Sequence, residues 1–105
     1  MKLNYFALCL TIICLPACTW IEPTKEGQQV TLVKEFNVKD CLKLGTTNAT
    51  TTYKVGIITR EDEAVTEELI TVARNRAAEL GGDSIVAKGV AVEGKMSFDI
   101  YKCGE

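Results

Sequence analysis

Five cysteines and no histidine limit the chemistry open to this chain. Histidine is the commonest general base and the commonest metal ligand near neutral pH. Its absence leaves proton transfer to carboxylates and metal binding to thiolates. Carboxylates crowd one stretch: Glu61, Asp62, Glu63, Glu67 and Glu68. They could form an acid–base pair or a cation site, but at the start of a helix they complement the positive end of its dipole. The dipole reading is the one adopted. Gly81-Gly82 could be taken for a phosphate loop, yet such loops precede a helix N-terminus and this pair follows a helical stretch. Leu80, Gly81, Gly82 and Asp83 therefore read as a helix C-cap motif. Arg74 and Arg76 could hold an anion, although paired arginines on a helical face more often serve solubility. Asn75 could cap or hydrogen-bond a strand. No nucleophile–base pair can be named, so no enzymatic activity, no cofactor and no metal are expected.

The cysteines fall into two groups. Cys9, Cys14 and Cys18 lie in the first eighteen residues, behind a positively charged Met1-Lys2 start. Leu3 to Leu15 is largely apolar but too short for a membrane-spanning helix, which needs roughly 20 residues. It has the length of the apolar core of a secretory signal peptide. "LPAC", Leu15 to Cys18, resembles the lipobox of bacterial lipoproteins, with Pro16 departing from the usual residue at its position. That resemblance implies that residues 1–17 are a lipoprotein signal peptide, cleaved together with Cys9 and Cys14. Cys18 would then carry a diacylglycerol, with its new amino terminus acylated, as by palmitate. Thr19 stands where an Asp would favour inner-membrane retention. The expected location is the outer membrane, on its periplasmic face.

Cys41 and Cys103 are what remains. An even pair in an oxidising compartment reads as a disulfide. In the chain-entropy model a bridge closing a loop of about 60 residues contributes about 4 kcal/mol. A reactive or metal-binding pair lacks both a histidine partner and a CxxC spacing.

These residues need elements to position them. A chain of 105 residues allows one domain. A formal charge of −2 and a pI near 5.2 argue against nucleic acid as a partner. Residues 18–29 read as the lipidated N-terminus and a short polar tether, and the domain as 30–105. "VTLVKEF", Val30 to Phe36, alternates as a strand. "CLKLGT", Cys41 to Thr46, is a second strand, and "TTNATTT", Thr46 to Thr52, reads as a loop. "YKVGIIT", Tyr53 to Thr59, is a further strand or the approach to a helix. Glu61 to Leu80 carries Val65, Leu69, Val72, Ala73, Ala77 and Leu80 at helical spacing, with Thr59 and Asp62 as a possible capping pair. "SIVAKGVAV" and "KMSFDIYKC" flank Glu93-Gly94 as a hairpin. If Val92 pairs with Lys95, then Ala87 faces Ile100, Gly89 faces Phe98, Lys88 faces Asp99 and Cys103 faces Ser84. The fold class expected is α+β: a small ββαββ domain, mostly antiparallel, with one helix on a face and one disulfide.

The block "ARNRAAELGGDSIVA", with "CLKLG" before it and "YKC" after it, resembles the RcsF-like group of small envelope lipoproteins. Cys41, Leu44 and Gly45 match that group's early motif. Ala77, Ala78, Leu80, Gly81 and Asp83 match the helix end, and Cys103 matches the late cysteine. The resemblance implies an α/β domain in a non-catalytic lipoprotein acting in protein interaction or envelope stress signalling. Its partners would be the membrane, through Cys18, and outer-membrane β-barrel or other envelope proteins. The sensor of that group has four cysteines in its domain and a long Pro-rich tether, where this chain has two in the domain and a short tether. A small-ligand- or metal-binding periplasmic lipoprotein is the alternative.

Overall fold

The computed structural model describes residues 21–104 apart from 56, 57 and 60. A 3-10 turn, Gly27–Gln29, leads into strand β1 (Thr31–Val33). A second 3-10 turn, Glu35–Val38, precedes β2 (Leu42–Thr50). A short hairpin follows, β3 (Lys54–Val55) with β4 (Ile58–Thr59). Helix α1 (Asp62–Glu79) comes next, then β5 (Ser84–Ala87) and β6 (Lys95–Lys102). The main sheet has the order β1-β5-β6-β2; β1 is parallel to β5 and the other pairings are antiparallel. This is the α+β domain with one helix on a mostly antiparallel sheet, and Cys41 is bonded to Cys103.

The core forms where α1 meets one face of that sheet. Val65, Leu69, Ala73 and Ala77 recur every four residues along the helix and are buried against Ala49, Ile85, Phe98 and Ile100, with Val30 beside them. Alanines at 73 and 77 let the helix approach closely, and Phe98 fills the space. Leu80, expected on this face, is 48% exposed. The helix has ended by then, with Leu80 at its C-cap. Among the described residues no helix is long and apolar enough to cross a membrane.

The ends of α1 differ in kind. At the start, Glu61 occupies the N-cap without a side-chain cap bond; the Thr59 side chain of the expected Thr59–Asp62 pair lies outside the described residues. Asp62 and Glu63 in the first turn favour the dipole instead. At the finish, the Gly82 amide donates to Ala77 O (2.8 Å) and the Gly81 amide to Ala78 O (3.0 Å). Gly81 sits at φ 83°. This is the Schellman arrangement, in which a left-handed residue satisfies the last carbonyls of the helix.

Three expectations about strands are corrected. The strand over Val30–Phe36 closes at Val33, because the chain must return over the sheet to begin β2 at its other edge. The threonine-rich stretch is not a loop: β2 runs on to Thr50, and its polar side chains find cross-strand partners such as Ser97 Oγ to Asn48 Oδ1 (2.6 Å). β-Branched threonine suits an edge strand of this kind. The hairpin turn is at Glu93-Gly94, both at positive φ, and Val92 pairs with Lys95. The register beyond it is displaced by two residues, however. Lys88 N donates to Ser97 O, so residues 89–91 bulge out opposite Met96 alone. Ala87 then faces Phe98, Ile85 faces Ile100, Val86 faces Asp99, and Ser84 faces Tyr101 rather than Cys103. An even displacement keeps every side chain on its expected face.

Candidate functional site

The Cys41–Cys103 bridge (Cα–Cα 4.5 Å) continues the β2–β6 ladder one step past Leu42↔Lys102. Asp83 organises the adjoining sheet end. Its Oδ1 accepts from Cys103 N (2.8 Å) and Ser84 Oγ (3.0 Å), and its Oδ2 from Gly104 N (2.8 Å). Its backbone accepts from Thr31 N and donates to Tyr101 O. One residue thus joins the ends of β1, β5 and β6. Burial pushes its carboxyl up, but the two amides, the Ser84 hydroxyl and the Lys102 charge outweigh this and hold it below the usual carboxylate range. Sequence reasoning placed Asp83 in the helix cap alone. The surplus signal was its position, directly between a Gly-Gly helix stop and a strand.

On the sheet face away from α1, Asp99 is buried, 6% exposed. It accepts from Thr46 Oγ1 (2.7 Å) and lies 3.5 Å from Lys43 Nζ and 3.7 Å from Lys88 Nζ. Burial opposes its ionisation; the Thr46 hydroxyl and the two lysines reverse the sign and lower its pKa. Both lysines are about half exposed, so the hydroxyl contact outweighs the screened ion pairs. The cluster is internally satisfied, an architectural tie rather than a reactive centre.

Arg74, read as a solvent-facing residue, and Asn75, read as a possible cap or strand hydrogen-bonder, make long-range contacts from the helix. Asn75 Nδ2 donates to Glu22 O (3.0 Å), and its Oδ1 accepts from Thr24 N (2.9 Å) and Thr24 Oγ1 (3.2 Å). Arg74 donates to Val30 O (2.8 Å) and Gln28 O (3.2 Å). Gly27 is buried beneath: a methyl there would collide with Asn75 Oδ1 and lie 3.1 Å from Asn75 Cα. The expected tether is therefore docked on α1 from Glu22 onward. Arg76 instead pairs with Glu79 at 3.2 Å.

Two of the concave surfaces among the described residues lie away from the docked segment. One, of about 280 Å3, lies between the start of α1 and the hairpin turn, lined by Tyr53, Asp62, Val65, Thr66 and Glu93 among others. No group of three metal-ligating side chains occurs among the described residues. The other is an apolar groove of about 340 Å3 at the ends of β1 and β5, lined by Leu32, Val33, Lys34, Glu35, Val86 and Ala87. Near it in the chain, Phe36 is 68% exposed and Val90 79%. The edge strand β1 pairs only with β5, so Leu32 directs its own peptide groups outward beside this groove. Cys18, the expected lipidation site, and Trp20 lie outside the described residues.

Neither a curated protein nor a solved structure matches the chain. A family model does, described as a domain of unknown function, DUF4156, and it matches residues 21–103. The matched span opens just before the docked segment, closes on the second bridge cysteine, and takes in every strand and the helix between them; the chain belongs to the DUF4156 family.

Proposed function

We propose that this protein is a non-catalytic lipoprotein of the bacterial envelope, anchored at Cys18 in the outer membrane, that acts by binding another envelope protein in the manner of the RcsF-like lipoproteins it resembles. The observation that supports binding is the apolar groove at the open end of β1 and β5. It combines exposed Leu32 with an unpartnered strand edge, and the neighbouring Phe36 in the chain is exposed as well, a surface suited to an extended apolar segment of a partner. A photo-crosslinking residue at Leu32 or Phe36, in cells, is expected to capture one envelope protein that the same residue at Glu63 does not. Equal capture at all three sites would set the reading aside. Intact mass of the membrane-extracted protein tests the anchor: the chain from Cys18 to Glu105 plus lipid is the expected species.

The cleft beside Asp62 and Glu93 supports a second reading, small-ligand or metal binding. Titration calorimetry with divalent cations and small anions decides it, and the absence of heat removes it.

A further inference from the structure

Residues 22–30 meet the helix on a particular side. The helix turns about 100° per residue, so Asn75 lies about 200° round from Ala73. Ala73 is fully buried against the sheet. Asn75 therefore projects from the side of α1 that faces away from the sheet, and that is where it holds Glu22 and Thr24. From there the chain passes under Arg74, through buried Gly27, to Val30 and the edge strand. Pro23 stiffens the docked stretch by fixing its own φ. The N-terminal segment thus leaves the domain from its helix layer. The opposite surface carries Thr46, Asn48, Ser97 and Asp99.

Only four peptide steps separate Glu22 from Cys18, a reach of at most roughly 14 Å. Were the segment free as far as Val30, twelve steps would reach roughly 40 Å. A helix with its side chains is already about 10–12 Å across, and the sheet lies beyond it. A 14 Å leash starting on the helix side cannot bring the far face of the sheet down to the surface that holds Cys18.

We infer that residues 22–30 are an orienting strap: they hold the outer side of α1 against the lipid bilayer and present the polar sheet face to the aqueous compartment. This rests on the lipid anchor at Cys18 proposed above. The docking is built from side chains that reach across 44 to 53 residues of sequence, and a buried glycine makes room for it. The partner surface is a phospholipid bilayer, met at short range because the leash is short.

The test uses the lipidated full-length mature protein in vesicles of phosphatidylethanolamine and phosphatidylglycerol. Amide signals are recorded by NMR with and without a spin-labelled lipid headgroup. Signals of residues 22–29 and of 75, 78 and 79 are expected to broaden, while those of 46–48 and 97–99 persist. Asn75→Ala is expected to abolish that contrast while the protein stays vesicle-bound. A flexible Gly-Ser insertion after Ile21, which leaves the docked segment and the domain intact, is expected to abolish it too. Bound protein with equal broadening on both faces overturns the strap. So does contrast that survives both variants. Protein that lacks lipid by mass and stays in the supernatant overturns the anchor, and the strap inference with it.

Discussion

Two aspartates contribute to the acid response of this protein. Asp83 and Asp99 both have carboxyls held below the unfolded value of about 3.9. A group depressed in the folded state contributes stability that is fully present above its unfolded pKa and lost as pH falls through its folded pKa. Urea unfolding is therefore expected to show stability level near neutrality and falling below about pH 4, with Asp99→Asn and Asp83→Asn flattening that fall. At neutral pH, Asp99→Asn is expected to cost about 1–3 kcal/mol, since Thr46 and two lysines lose a charged acceptor in a buried position. Gly27 has a different sensitivity. Gly27→Ala is expected to free residues 22–30 from α1, read as faster amide exchange there than in β5 and β6. Neither Asp83 nor Asn75 announced these roles. Asp83 has an ordinary local explanation as part of a helix cap, and Asn75 could be read as a cap or a backbone hydrogen-bonder but with no partner named. Their partners lie 20 and more than fifty residues away, where local pattern carries no information.

At the level of elements, helix α1 was legible because apolar residues every three to four positions and a Gly-Gly stop agree with each other. Gly81 at φ 83° is the reason that stop works. Gly81→Ala forces a Cβ into the left-handed region and is expected to lower stability by about 1–2 kcal/mol, measured by denaturant midpoint. The hairpin turn was legible too, since Glu93-Gly94 occupies the two left-handed positions of a tight turn. Glu93 is the less suited of the pair at φ 50°. Glu93→Asn is expected to raise the thermal midpoint by a few degrees, from roughly 0.5–1 kcal/mol of relieved backbone strain. The bulge at 89–91 was not legible. A turn dictates the pairs next to it, while a bulge depends on what the helix needs above the sheet. Here it slides Ala87 opposite Phe98, and the ring lies in the buried cluster with Leu69 and Ala73. The strand character of Thr46 to Thr50 was hidden for another reason: only Ala49 in that run is buried, so an edge strand polar on both faces has no alternation to detect.

On the scale of the whole molecule, the bridge ties two strands that already share a ladder. Cys41→Ser with Cys103→Ser is expected to lower stability by about 4 kcal/mol, while the β2–β6 register survives in cross-strand NMR contacts. The sheet order has a further consequence. Both edges, β1 and β2, come from the first half of the chain, and both central strands, β5 and β6, come from its last 22 residues. A polypeptide that emerges N-terminus first carries its outer strands with nothing to lie against until the central hairpin arrives. Its main sheet cannot form early, and Cys41 waits for a partner 62 residues further on. A chain ending before Ser84 is accordingly expected to show no exchange-protected strand of the main sheet. For a protein delivered vectorially, the last stretch to emerge decides when folding begins.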